Sequence, residues 1–457
     1  MMAETTGVPE YDDAAVQRIH DFVESVTGGK IVRMEQQVRW RPAWFADVEV
    51  DGKLVELHLR GDRTGDVAIF PDLKREADII AVLHGQGIPV PAVYGYLADP
   101  PCIVMESIKG TRDLSGLTPE KQSVVGRAYM KAVAAMHALP VEAFAEVGDM
   151  NVPQGAEEIA LVGLNTYLPQ YLRTKKRPEP LLEFVIQWIR RNVPKHRTRA
   201  AFIQFDSGQF LVHEERMTQL YDFEFSMIGD PMVDLATMGM RNTIEPLGAP
   251  MPELFGYYAE ASGEPVDHEA VLFHVLQFSL LGTMQFTGTV ADPRPADPHS
   301  VYLQFDLALR RSILLALSKL AGVPLPELPQ LEERRGDNAT LIRKLADTLS
   351  GIASRDAVAE GHKGQALEIV EWVARADTYG AAMVAQNIAE VSAFLGQDFA
   401  RWPEAEAALE AFVMAAGPDQ DAGLITLLGA IEGRRLQVFG PTSIGEAALN
   451  VRLPEGI

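Results

Sequence analysis

The sequence is poor in cysteine and in positive charge, and each shortage narrows what the protein can be. Of its 457 residues one is cysteine, Cys102, so no intramolecular disulfide can form and no thiolate zinc site can be assembled. That usage suits a reducing compartment, and a cytoplasmic protein is expected. Lys and Arg number 41 against 63 Asp and Glu, a formal net charge of -22. This is the wrong sign for neutralising nucleic-acid phosphates or anionic lipid, so neither a nucleic-acid nor a membrane partner is expected. Long apolar runs are missing as well. Val271 to Phe286 and Ile313 to Leu325 are interrupted by His, Gln, Ser or Lys, and both fall short of the roughly 20 apolar residues that span a bilayer. The opening MMAETTGVPEYDD carries neither the basic nor the apolar region of a secretion signal, so no export is expected.

What is present is the composition of an ordinary folded protein, with 47% hydrophobic and 23% charged residues. At roughly 100 to 200 residues per domain, the length calls for two to four folding units. Ile31 to Arg60 reads as an antiparallel hairpin, with the Asp-Gly signal of Val50-Asp51-Gly52-Lys53 at its turn. Leu73 to Gly85 has helical spacing, and Ile88-Pro89-Val90-Pro91 then forces extended chain. Pro101 to Glu106 reads as a buried strand holding Cys102 as a small apolar filler, and Pro119 to Leu139 as a helix. Strand character returns at Ala201 to Val212 and Met217 to Phe225, two runs joined by His213-Glu214-Glu215-Arg216. Helical text then continues to about Leu320, apart from a polar interruption at Ala291 to His299. Leu320 to Leu331 holds three prolines and is the expected domain connector. Five helical stretches follow, at 338–352, 364–376, 381–395, 404–416 and 422–434. Residues 331–457 carry 11 basic against 19 acidic side chains, an acidic module without a chemical motif.

The most informative segment runs from Asp222 to Ala236. Asp222 and Glu224 share one face of a strand end, because strand side chains alternate with period two. Paired hard oxygen ligands of this kind suit Mg²⁺ and a phosphate-bearing substrate. The plainer alternative makes them solvated turn acids, with Asp230 and Asp234 as helix N-caps.

Tyr221-Asp222-Phe223-Glu224, Gly229-Asp230-Pro231 and Asp234-Leu235-Ala236 together resemble the metal motif of the aminoglycoside phosphotransferase family. Arg75-Glu76 and Ile88-Pro89-Val90-Pro91 fall in the family's order. So do Ile103-Val104-Met105-Glu106 before Gly110, which resembles its adenine-holding hinge strand, and Ala134-Ala135-Met136-His137-Ala138-Leu139. The resemblance covers roughly residues 20 to 320. It implies an α+β, bilobal protein-kinase-like fold: a small antiparallel-sheet N-lobe at 1–110 and a mostly helical C-lobe at 111–325. An all-α C-terminal domain of 335–457 follows, with a much weaker resemblance to helical domains attached to such enzymes. His137 is expected to pack, and Pro89 and Pro91 to fix the chain path.

The sequence departs from the family at two places. The family's H-G-D-x-x-x-x-N catalytic loop corresponds here to Phe202 to Val212. Aligned without gaps, Gln204 takes the Asp position and Gln209 the Asn position, and a Gln accepts no proton at neutral pH. A loop two residues shorter would instead let Asp206 serve the acceptor hydroxyl. The first strand turn, Gln36 to Phe45, contains no glycine to let backbone N–H groups approach phosphate. Arg39, Arg41, Trp40 and Trp44 could instead form an anion and ring pocket, or simply a hydrophobic hairpin with solvated arginines. Arg60 stands where the family has its phosphate-binding Lys.

The resemblance therefore implies ATP- and Mg²⁺-dependent phosphoryl transfer to a hydroxyl of a small molecule, a hydroxyacyl-CoA or an aminoglycoside-like compound. Arg60, Glu76, Met105 and Glu106 would serve the nucleotide, Asp222, Gln209 and Glu224 the metal, and Asp206 or Gln204 the acceptor. The alternative is a non-catalytic kinase-like protein that binds a nucleotide or metabolite or scaffolds a partner. The C-terminal helices are the expected surface for self-association or a protein partner.

Overall fold

The computed structural model describes residues 11–37, 41–62, 71–295, 297–334 and 336–457. Arg39 and Trp40 of the expected anion pocket lie outside these. The chain divides into two compact units, the first comprising Met1–Val162, His196–Val271 and Pro454–Gly456 and the second Gly163–Lys195 and Leu272–Leu453 with Ile457.

In the first unit, α1 (Asp13–Thr27) is capped by the Asp12 carboxylate, which accepts from Ala15 N at 2.7 Å, and ends on Gly28 at φ 68°. It leads into β1 (Lys30–Gln36), β2 (Ala43–Val50) and β3 (Lys53–Gly61). Asp51 and Gly52, at φ 50° and 74°, form the tight turn between β2 and β3, as the Asp-Gly pair predicts. After α2 (Leu73–Gly85), β4 (Val93–Ala98) and β5 (Pro101–Glu106) complete an antiparallel sheet of order β1-β2-β3-β5-β4. Alternation along β5 serves both faces. Cys102 and Val104 join Leu57, Leu59, Trp44 and α1's Ile19 and Val23 on one side, while Ile103 and Met105 meet α2's Leu73 and Ala77 on the other.

The helix α3 (Pro119–His137) packs with α7 (Met251–Ser262), and α6 (Met232–Asn242) lies between these in sequence. The expected strand at 201–212 is broken: β6 (Ala201–Ile203) pairs with β9 (Met227–Gly229), and β7 (Phe210–His213) forms a hairpin with β8 (Arg216–Leu220). The six residues 204–209 between β6 and β7 are a loop. The second run likewise ends as a strand at Leu220, so Asp222 and Glu224 sit in a loop and the period-two argument fails. Asp222 has φ 67°, a left-handed conformation that no strand contains.

The second unit takes α4 (Gly155–Thr174) from residue 163 onward, α5 (Pro180–Arg191), α8 (His268–Ala291) from residue 272 and α9 (His299–Ala321). With them come α10 (Ala339–Ser350), α11 (Ala357–Leu395), α12 (Trp402–Ala415) and α13 (Asp421–Phe439). Two of the expected helices are one, since α11 continues through Asp377 to Gly380. By length and composition α8 could span a bilayer, but 78% of its most apolar window is buried inside the protein.

The boundary expected between 325 and 335 falls within this second unit. The proline-rich segment lies along α13, with Leu325 and Pro326 over Gly429 and Leu328 over Gly433. Leu331 joins Leu307, Val438 and Phe439 in one cluster, with Trp372 stacked on Phe439 at 3.9 Å between ring centroids. Buried charge knits the same unit. Arg310 holds Asp306 at 3.0 Å, Glu432 at 3.0 Å and Glu179, while Arg435 holds Asp306 at 2.7 Å.

Two predictions follow from this packing. Leu331→Ala should lower stability by about 2–3 kcal/mol in chemical denaturation, because the cavity opens among side chains from both sides of the connector. Burial and the neighbouring Glu179 push the Glu406 carboxyl up to about 7. A carboxyl whose folded value is raised loses stability as pH climbs from its unfolded value near 4 through about 7. Glu406→Gln should therefore raise the melting temperature at pH 8 and change little at pH 5; an equal shift at both values would refute the buried-proton account.

Candidate active site

Arg60 comes from β3, Glu76 from α2, and Asp222 and Glu224 from the loop between β8 and β9. The local sequence explains each placement. Arg60 pairs with Ala43 across β2–β3, so Arg41 just before β2 lies beside it. Glu76 is in the first turn of α2, whose Asp72 cap accepts from Lys74 N at 2.9 Å. Arg75 next to it donates to the carbonyls of Glu224, at 3.4 Å, and Ser226, and so ties the acidic loop to α2.

These segments converge on Arg60. Its Nε lies 3.1 Å from Glu76 Oε2, and one of its terminal nitrogens lies 2.7 Å from Asp222 Oδ1 and 3.5 Å from Glu224 Oε2. Arg41, 6% exposed, sits 2.5 Å from Glu224 Oε2 and 3.9 Å from Glu76 Oε2. Phe223 N donates to Glu76 Oε1 at 3.3 Å. Burial works against the charge on Arg60, but Glu76, Asp222 and Glu224 outweigh it and its pKa is raised above the ordinary guanidinium value.

The neighbouring loop is organised by Asp234. Its two carboxylate oxygens accept the backbone N–H groups of Gln204 (2.9 Å) and Phe205 (2.8 Å), and His137 Nε2 lies 3.0 Å from Oδ2. The other ring nitrogen of His137 meets Tyr258 OH at 2.9 Å, the packing role expected of it. Asp234 is therefore no helix cap, and Asp230, one residue before the Pro231 cap of α6, accepts from Met232 N at 3.0 Å. The Gln204 side chain is fully buried and donates to the carbonyls of Tyr221 (2.7 Å) and Asp222 (3.3 Å). It braces the acidic loop.

Asp206 differs. Its side chain is 29% exposed, Arg241 donates to its Oδ1 at 2.7 Å, and the Gln209 amide donates to its Oδ2 at 3.2 Å. Burial pushes its carboxyl up, against the opposing pull of Arg241. Arg241 also donates to Ser207 O at 3.0 Å, and its stem packs so closely on Gly208 that a Cβ there would stand 2.7 Å from Arg241 Cδ. Gly208 at φ 90° and Phe205 at φ 71° make the tight path possible. Tyr129 completes the loop's support, meeting Ser207 Oγ and accepting from Gly208 N, each at 2.7 Å. Gln209 adjoins the acidic loop because its carbonyl accepts Tyr221 N at 3.2 Å.

The remaining expected site residues lie elsewhere. Met105 is 5% exposed and its side chain belongs to the core cluster with Leu73, Ala77 and Ile103. Glu106 closes β5 at the surface, where its N–H donates to Ala92 O at 2.9 Å and its carboxylate accepts Ala92 N at 3.3 Å. Trp44 is buried against Tyr11 in the core and forms no pocket wall. Sequence reasoning missed Arg241 and Tyr129, which no local pattern marks.

A five-stranded antiparallel sheet carrying a cation on its third strand, paired to an acid on the following helix and facing a second acidic loop, defines a kinase-like phosphotransferase fold. Residues 51–271 match the phosphotransferase enzyme family, in keeping with the resemblance above. A crystal structure from Ralstonia eutropha, assigned as an aminoglycoside phosphotransferase, superposes with a TM-score of 0.51 at 16% identity, covering 66% of this chain and 96% of that one. Among curated proteins, a probable acyl-CoA dehydrogenase of Arabidopsis thaliana is 27% identical over 237 residues, 42% of this chain and 27% of that protein. The human acyl-CoA dehydrogenase family member 11 is 27% identical over 212 residues, 44% of this chain and 26% of that protein. The match thus spans about a quarter of these relatives' length.

Loss of the Asp234 anchor should be costly, because two buried N–H groups would lose their acceptor. Asp234→Ala is expected to destabilise the protein by about 3 kcal/mol or more in denaturant titration. A change under about 0.5 kcal/mol would show that the loop is held by other contacts.

Proposed function

We propose that the protein transfers the γ-phosphoryl group of ATP to a hydroxyl of a small molecule, with Mg²⁺. The observation that carries this reading is the Arg60–Glu76 pair, 3.1 Å apart and set against Asp222, in the unit that also presents Asp206. Arg60 would hold the nucleotide phosphates and Glu76 would orient it. The metal fits Asp222, 24% exposed at its side chain, and the adjoining Gln209, two hard oxygen donors. Such an ion would complete its shell with phosphate oxygens and water. When bound, Mg²⁺ supplies charge neutralisation at the transferring phosphoryl group.

Asp206 is the acceptor-side residue. The hydroxyl oxygen bonds to the γ-phosphorus, the bond to the β–γ bridging oxygen breaks, and the hydroxyl proton passes to the Asp206 carboxylate. Arg241 and Gln209 keep that carboxylate in one orientation. A loose phosphoryl-transfer transition state asks for positioning more than strong proton abstraction, so a carboxylate held this way suffices.

Of the two acceptor classes, a hydroxyacyl-CoA is favoured by the names of the curated relatives, which are acyl-CoA dehydrogenases carrying a similar region. The same reading keeps the protein cytoplasmic, without a nucleic-acid or membrane partner, and gives the acidic helices of the second unit to self-association or a protein partner. The competing function, a non-catalytic nucleotide- or metabolite-binding scaffold, draws on the glycine-free first turn and on the Asp222 carboxylate's existing partner, Arg60.

Mg²⁺-ATP at millimolar concentration should raise the melting temperature, because a ligand that binds only the native state adds RT ln(1 + [L]/Kd) to stability. Asp222→Asn should diminish that shift. With an identified acceptor, Asp206→Asn should lower kcat by roughly 10²- to 10⁴-fold, whereas Gln204→Ala should act mainly on stability. No thermal shift with nucleotide in either wild type or Asp222→Asn would favour the scaffold.

A further inference from the structure

The glycine-free turn before β2 delivers a buried cation to the site. Arg41 is 6% exposed, and it and Arg60 flank the same two carboxylate oxygens. Glu224 Oε2 lies 2.5 Å from Arg41 and 3.5 Å from Arg60, and Glu76 Oε2 lies 3.9 Å and 3.1 Å from them. Strand pairing fixes this arrangement, because Ala43 pairs with Arg60 and Pro42 O accepts Gly61 N at 2.8 Å. The Arg60 guanidinium therefore enters from β3 and that of Arg41 from the segment just before β2, the strand paired with it.

Charge decides what such a pair can do. Among the described ion pairs, Arg41 and Arg60 face Glu76, Asp222 and Glu224. Loss of Arg41 would remove a full positive charge, and an incoming triphosphate would meet stronger repulsion in a site of low dielectric. A guanidinium is planar and carries five N–H donors, so it can hold a carboxylate and a phosphate oxygen at once. Backbone N–H groups of a glycine-rich turn supply partial charges at this kind of position; an arginine supplies a full one.

We propose that Arg41 is a second polyphosphate ligand of this site, acting beside Arg60 and taking the role that backbone amides of a glycine-rich turn play elsewhere. The proposal rests on the nucleotide-binding function above. It assigns to the turn a preference for highly charged ligands, so triphosphate should gain more from Arg41 than diphosphate, and a nucleoside should gain nothing.

Calorimetric titration of the full chain with adenosine, ADP and a non-hydrolysable ATP analogue, each with Mg²⁺, tests this. Because Arg41→Gln leaves Glu224 buried without its partner, the decisive comparison is Glu224→Gln against the double variant Arg41→Gln/Glu224→Gln, in which no carboxylate is stranded. The double variant should bind the triphosphate analogue about 10- to 100-fold more weakly than Glu224→Gln, the range expected for a lost charge-assisted hydrogen bond. The loss should be smaller for ADP and absent for adenosine, and Arg41→Lys should retain part of the triphosphate affinity. Equal triphosphate affinity in the two variants, with adenosine binding intact, would overturn the proposal and leave Arg41 as a counter-ion for Glu224. A uniform loss across all three ligands would also overturn it, since that marks a distorted lobe. Failure of the wild-type protein to bind any of the three would instead overturn the nucleotide function itself, and this role with it.

Discussion

A guanidinium cannot be withdrawn from water without carboxylates to meet it, and Arg60 is where this protein faces that constraint. It lies near the end of the sheet's middle strand, and its partners come from α2 and from a loop some 160 residues later in the chain. The helix also packs on the sheet through Leu73 and Ala77, but the sheet and the acidic loop meet at this cluster. Removing any one partner would strand charge in a site that is nearly closed to solvent, a loss of several kcal/mol on general grounds. The ion cluster is thus both the chemistry of the site and the fastening between sheet, helix and acidic loop. Arg75 adds to this fastening without adding to the chemistry, because it spends its donors on the loop's carbonyls.

The loop at 204–209 obeys a different economy. A chain that must leave β6 and enter β7 in six residues has few paths, and here two positions, Phe205 and Gly208, take left-handed backbone. Such strain persists only where surroundings over-determine it. Asp234 binds the loop's first two N–H groups, Tyr129 binds its end, and Arg241 closes its outer side. Within that frame the ungapped and shortened registers of the catalytic loop are no longer equivalent. Gln204 is turned inward to serve backbone carbonyls, and Asp206 is the residue left with an ionisable group near solvent. The acid two positions later in sequence occupies the more open side of the loop, its side chain 29% exposed.

Local signals were legible in the sequence and non-local ones were not. The Asp-Gly turn at 51–52, the helix 73–85 and the strand 101–106 each rest on a few adjacent residues, and each forms where those residues predict. The strand pattern at 201–225 misled because apolar side chains buried in a loop look the same as those buried in a strand. Phe205 and Phe223 are both buried, yet neither lies in a strand. Asp377 to Gly380 read as a break, but a glycine inside a long helix costs only about 1 kcal/mol, which flanking turns readily overcome. For the site, Asp222, Glu76 and Arg60 could be named from their motif positions. Arg41 was visible only as a candidate, and Arg241 not at all, because its significance lies in touching Asp206 from a helix 35 residues away.

The proline-rich segment shows most clearly why composition alone misplaces a boundary. Three prolines in a short window suggest a stiff link between separate bodies, and stiffness is all that composition can report. The same rigidity makes the segment cheap to order against a surface, since proline has little backbone freedom to lose. Here α13 offers Gly429 and Gly433, whose missing side chains leave room for Leu325, Pro326 and Leu328 to lie close. Leu331 then enters a core built with Leu307 from before the segment and Val438 from after it. Burial on this scale is incompatible with a free hinge, so the acidic helices and the helices that precede the prolines form one hydrophobic core. The division of the chain is set instead by where contacts thin out, at 162, 195 and 271, inside stretches of sequence that no linker composition marks.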